Sequence, residues 1–190
     1  QAHEMIKRAS TLIVTFGTAW VYKYALTGKV VANCHKLPAS MFNRDMMSTD
    51  DIVLMWKDAI SRIKSVNKSI NVVFTVSPIR HLRDGAHENQ LSKSTLLLAI
   101  NQLEKACDDV IYFPAYEIMN DDLRDYRFYA SDMTHPSEVA VDYIYDIFSQ
   151  SFFDDDTITL AEKCEKLSKR LMHIPMSDDN NAVERFVQST

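Results

Sequence analysis

The chain has 190 residues, 46% hydrophobic and 25% charged, with a formal net charge of −5 and a pI of about 5.6. That length can bury one sizeable core, and the acidic balance without a Lys/Arg block argues against nucleic acid as a partner. No apolar run approaches the ~20 residues that span a bilayer, and glycine occurs only at Gly17, Gly28 and Gly85, too sparsely for a Gly-rich phosphate loop.

Residues 1–10 read as the end of a helix leading into Thr11–Phe16, a β-rich apolar run that ends at Gly17. Such a run suits a strand covered on both faces. Residues 21–25 and 29–33 flank Thr27-Gly28 and predict a β-hairpin excursion. Residues 50–66 then place Ile52, Met55, Trp56, Ala59, Ile63 and Val66 on one helical face, with Ser48 and Asp51 as a capping-box-like start. Asn71–Val76 repeats the strand pattern and ends at Ser77-Pro78. Residues 89–107 place Leu96, Ala99, Leu103 and Ala106 on one helical face. Val110–Phe113 is a third strand, ending at Pro114. Pro136 is expected to open a further helix in its first turn, with Val139, Ala140, Tyr143, Ile144, Ile147 and Phe148 inward. The alternation of strand and helix predicts an α/β domain with a parallel sheet over residues 1–153. A helical tail is expected over 154–190, with Leu160, Cys164, Leu167 and Leu171 at core spacing. The three cysteines, Cys34, Cys107 and Cys164, are odd in number and lack a Cys-x-x-Cys pair. They read as buried free thiols rather than a disulfide framework or zinc site.

In open α/β sheets, sites form at the carboxyl ends of strands. That rule selects Gly17 and Trp20 after the first strand, and Ser77, Arg80, His81 and Arg83 after the second. It selects the segment ending in Asp132 and His135 after the third. A hydrolytic histidine needs a carboxylate on one ring nitrogen while the other handles the proton. Asp132 and His135, three apart at the start of a helix, suit that need. Asp84 and His87 have the same spacing, but Asp84-Gly85 reads better as a turn. The blander reading of Asp132 and His135 is a helix cap and a surface histidine. Arg80, His81 and Arg83 suit an anionic or carbonyl oxygen, or else a solvated loop with structural ion pairs. Cys34-His35 is no metal pair, because neighbours on a strand point to opposite faces. No residue set for a metal or cofactor stands out.

Several runs, in order, resemble the GSCFA family: TFGTAWVY (15–22), VANCHKLP (31–38), VSPIRH (76–81), DDLRDYRFY (121–129) and DMTHP (132–136). They span residues 11–148, and more loosely reach HIP at 173–175. That family is similar to SGNH/GDSL hydrolases. The resemblance implies a flavodoxin-like three-layer α/β/α fold and a Ser-His-Asp site that cleaves acyl esters without a cofactor. It puts His135 as general base, Asp132 as its orienter, and Gly17, Trp20, Ser77, Arg80 and His81 around the substrate, an acyl ester of a small alcohol, carbohydrate or lipid. It also implies an upstream Gly-Ser-Cys-Phe-Ala run that holds the nucleophile and a first strand, neither of which these residues contain. Ala19 stands where the superfamily has an oxyanion-hole Asn. Ser77 is a poor substitute nucleophile, because Pro78 lacks the backbone N–H a nucleophile elbow requires. On this reading Thr11–Phe16 is an exposed apolar edge, open to self-association or to cover by the chain's own terminal helices. The rival reading is a non-enzymatic ligand-binding module on the same fold.

Overall fold

A computed structural model describes residues 2–32, 34 and 36–172; Asn33 at the end of the expected hairpin, His35 and residues 173–190 of the expected tail lie outside the described residues. The described residues fall into two compact units that divide between Ile144 and Tyr145.

In the first unit, α1 (Ala2–Arg8) leads into β1 (Thr11–Phe16), β2 (Trp20–Tyr24), β3 (Val30–Val31), β4 (Phe42–Met46) and α2 (Thr49–Val66). Then come β5 (Asn71–Val76), α3 (Gly85–Ala106), β6 (Val110–Phe113), the single turn α4 (Ala115–Glu117) and the start of α5 (Glu138–Phe152). β1, β5 and β6 form a parallel sheet in the order β1-β5-β6. The register sets Leu12, Val14 and Phe16 beside Val72, Phe74 and Val76, which places all six on one face of the pleat. Ile52, Val53 and Ile60 of α2 and Leu96, Ala99, Ile100 and Leu103 of α3 pack against that face. Trp56 meets the rings of both Phe16 and Phe74 edge-on. Each such aliphatic side chain, fully buried, contributes about 1.5–3 kcal/mol. The expected three strands and α/β class are therefore present, a parallel sheet flanked by helices in keeping with a three-layer α/β/α fold.

Several local expectations need correction. β1 is an edge strand with only alternate residues covered, and Ile13 is 51% exposed. Its apolar run therefore marks one buried face, not two. On α2, Val53 and Ile60 are buried while Met55 and Val66 are exposed. The inner stripe is rotated from the expected one because α2 shares its face with α3. Ala106, at the end of α3, is exposed. The hairpin of β2 and β3 is joined by β4 into an antiparallel sheet, β3-β2-β4. β4 was not expected because three of the five residues in its Phe-Asn-Arg-Asp-Met sequence are polar, yet they alternate inward and outward as a one-sided strand must. The cap was read correctly: the Asp51 N–H donates to Ser48 Oγ at 3.1 Å.

α5 starts at Glu138, later than expected. The Ser137 carbonyl accepts the Val141 N–H, and Ser137 Oγ accepts from the Ala140 N–H at 3.3 Å. Pro136 instead bridges Tyr129 across the preceding loop. Ala140 is then buried with Met119, Leu123 and Tyr129, whereas Val139 and Tyr143 are exposed.

In the second unit, the rest of α5 is followed by α6 (Asp155–Met172). Phe148 contacts Phe152 and Phe153. Leu160, Cys164, Leu167 and Leu171 are exposed, so their helical spacing does not mark a core. Cys34 and Cys107 are partly buried; all three thiols are free. Among the described residues, no helix is long and apolar enough to cross a membrane.

Candidate functional site

The loops that leave β1, β5 and β6 at their carboxyl ends are tied together by one helix. Asn89, Ser92 and Lys93 lie on the first turns of α3 and are all buried. Ser92 Oγ accepts the Ala19 N–H at 2.7 Å and meets Thr18 Oγ1 at 2.9 Å. Asn89 Oδ1 accepts the His81 N–H at 2.8 Å. Lys93 is fully buried, and its Nζ donates to the carbonyls of both Gly17 and Ser77 at 2.6 Å. A buried ammonium is tolerated only with such partners. Burial still pushes its pKa down to about 8.

This arrangement sets what each expected residue can do. Gly17 lies against the His81 imidazole: a Cβ there would sit 3.4 Å from His81 Nε2. His81 is pushed below its ordinary pKa, first by burial and then by its electrostatic neighbours Lys93, His135 and Arg44. Its ring is thus held toward the neutral form. Ser77 Oγ accepts the Ile79 N–H at 3.3 Å, closing the local turn. Ala19 is buried and its N–H is taken by Ser92, so it presents no donor to a ligand. Trp20 lies under the Arg44 guanidinium, 4.5 Å from the ring centroid, with its Nε1 buried and without a protein partner among the described residues. Arg44 pairs with Asp84, and Arg83 donates to the Tyr22 hydroxyl. Asp84 is therefore a structural partner and forms no hydrogen bond with His87 among the described residues.

Asp132 and His135 do meet. The turn between them passes through Met133 at φ 59°, a left-handed conformation costly for a side chain with a Cβ. That turn lets Asp132 Oδ1 accept the N–H groups of both Thr134 and His135 at 2.9 Å. Oδ2 lies 2.5 Å from His135 Nδ1. The Asp132 carboxyl is held well below the usual carboxylate range by the His135 N–H, then the Thr134 N–H, then the imidazole. An ionised carboxylate on Nδ1 fixes the tautomer with its proton there, leaving Nε2 free to accept a proton. Among the described residues nothing hydrogen-bonds Nε2, and both side chains remain about half exposed, His135 57% and Asp132 48%. The Arg80 N–H donates to the Thr134 carbonyl at 3.1 Å, which joins this turn to the loop after β5.

Arg80 turns its guanidinium onto aromatic faces, 4.0 Å from the Tyr129 centroid and 5.4 Å from that of Tyr126. Beside it, a cleft of about 350 Å³ opens between the loop after β5, the first turns of α3 and the segment after β6. Asp132 and His135 do not line it. Among the described residues no three His, Cys, Asp or Glu side chains converge as metal ligands would. Sequence reasoning missed Asn89, Ser92, Lys93, Arg44 and Tyr116. For the first three a signal existed: they continue the stripe of Leu96, Ala99 and Leu103 toward the start of α3 with polar residues.

The GSCFA family model matches residues 1–148. No curated protein and no solved structure matches the chain.

Proposed function

This chain belongs to the GSCFA family, and on that footing we propose that it forms part of an SGNH/GDSL-type serine esterase. One observation carries the reading: an Asp132 carboxylate fixed by two backbone N–H groups and set 2.5 Å from His135 Nδ1. The proposed nucleophile is a serine hydroxyl from outside residues 1–190. Its proton passes to His135 Nε2 as its oxygen bonds to the ester carbonyl carbon. The imidazolium, stabilised by Asp132, then returns that proton to the leaving alcohol as the C–O bond breaks. Water hydrolyses the acyl-enzyme by the same two proton transfers. Gly17, Trp20, Ser77, Arg80 and His81 surround or shape the substrate site. His81, held toward neutrality, suits hydrogen bonding to a carbonyl oxygen. No cofactor is required.

The test is hydrolysis of p-nitrophenyl acetate by this chain and by an upstream-extended form, each beside His135→Ala. Activity that requires the extension and His135 supports the esterase.

A second reading, a ligand-binding module, draws on Ala19. Alanine has no side-chain amide to serve as the usual oxyanion donor, and its backbone N–H is already taken by Ser92. A ligand bound with unchanged affinity by His135→Ala, together with no hydrolysis in either form, would favour it. The outer edge of β1 also offers a surface for self-association. Light scattering that finds only monomer over a wide concentration range would rule that out.

A further inference from the structure

The cleft beside Arg80 is lined by side chains that are half-used. The His81 N–H can only donate, so Asn89 must turn its oxygen inward, at 2.8 Å, and its NH2 outward. The Tyr116 carbonyl can only accept, so Asn120 gives it Nδ2, at 2.7 Å, and keeps Oδ1 outward. Gln90 accepts the Tyr116 hydroxyl at 2.8 Å, leaving its NH2 outward. Asn120 sits on a π-helical turn, Ile118–Asp122, an element frequent at functional sites. Tyr126 presents an exposed ring, and among the described residues the Arg80 guanidinium has no carboxylate partner.

We infer that this cleft binds a saccharide bearing acyl or carboxylate groups, as the alcohol portion of the substrate. This rests on the esterase reading for the role of the sugar, although binding itself needs no catalysis. Besides the Tyr116 and Tyr126 hydroxyls, which can accept, the groups left over are three donors, from Arg80, Asn89 and Gln90, against one amide acceptor, Asn120 Oδ1. A donor-rich wall matches carbonyl, carboxylate and ring oxygens. The exposed part of the Tyr126 ring, which the Arg80 guanidinium approaches to 5.4 Å, offers an aromatic surface for the C–H face of a pyranose. A lipid alcohol would displace water from these polar groups without replacing its hydrogen bonds. The volume, about 350 Å³, lies at the small end of ligand pockets, roughly 300–1,000 Å³, and suits one or two sugar rings.

The test is titration of the 15N-labelled chain with N,N′-diacetylchitobiose, digalacturonate and, as a lipid probe, octanoylglycerol. At least one disaccharide is expected to shift the side-chain amide signals of Asn89, Gln90 and Asn120 and to saturate near about 1 mM, an ordinary weak affinity. Gln90→Ala and Tyr126→Ala should each weaken it about fivefold; both side chains are exposed, so these truncations spare the fold. Amide signals unmoved by both sugars, or moved by octanoylglycerol instead, overturn the inference. His135→Ala should leave the titration unchanged while abolishing ester cleavage in the extended protein. Failed sugar binding with His135-dependent cleavage intact removes only the sugar. Sugar binding without cleavage removes only the esterase.

Discussion

Asp132 grips His135 at two points, its Oδ1 taking the backbone N–H at 2.9 Å and its Oδ2 facing the ring Nδ1 at 2.5 Å. One side chain therefore sets both the path of the turn and the tautomer of the imidazole. Its pKa is depressed mainly by backbone N–H groups, so the effect follows from the fold of the loop. A depressed carboxylate contributes stability above its unfolded pKa, about 3.9, and loses that contribution as pH falls through the lower folded value. The Asp132 Cγ resonance is expected to remain that of a carboxylate at about pH 3.5. Below that, the Thr134 and His135 amides should lose exchange protection as it titrates. Ordinary titration near pH 3.9 would show the grip is not formed in solution.

Met133 tests the same turn from the backbone side. Its φ of 59° suits glycine better than a side chain with a Cβ. Met133→Gly should hold stability or raise it by up to about 1 kcal/mol, and Met133→Val should lower it by about 1–2 kcal/mol. Urea denaturation measures both. Equal stabilities for the two variants would mean that the left-handed turn is absent.

Lys93 carries a pH signature. Below about pH 8 its ammonium is charged in both the folded and unfolded chain, and burial opposes folding. Between about 8 and the unfolded value, about 10.4, the folded protein has released a proton that the unfolded chain retains, so stability rises with pH. The stability of the native chain minus that of Lys93→Met should increase by roughly 2 kcal/mol from pH 8 to pH 10. A flat difference would contradict the burial of Lys93.

Gly17 faces His81 with room for one methyl group and little more. A Cβ at 3.4 Å from Nε2 is ordinary contact. Gly17→Ala should therefore change stability by less than about 1 kcal/mol, whereas Gly17→Val should displace the imidazole and cost about 1–3 kcal/mol. The His81 ring resonances read the displacement directly. A tolerated valine would mean that the ring does not rest there.

The three parallel strands were legible because each is a short apolar run that stops at Gly17, Ser77-Pro78 or Pro114. The pairing of Asp132 with His135 was legible because it is local, three residues apart. β4 was not, since its sequence gains meaning only beside β2. Nor was the role of Lys93, whose two acceptors lie 76 and 16 residues away in sequence. Leu160, Leu167 and Leu171 misled for the converse reason: helical spacing records a face but not what covers it.

The proposed role of His135 as a base is tested most directly by p-nitrophenyl acetate hydrolysis in the upstream-extended protein and its His135→Ala variant. Loss of activity by about 10³-fold or more in the variant is expected. Retained activity in that variant would contradict the proposed mechanism.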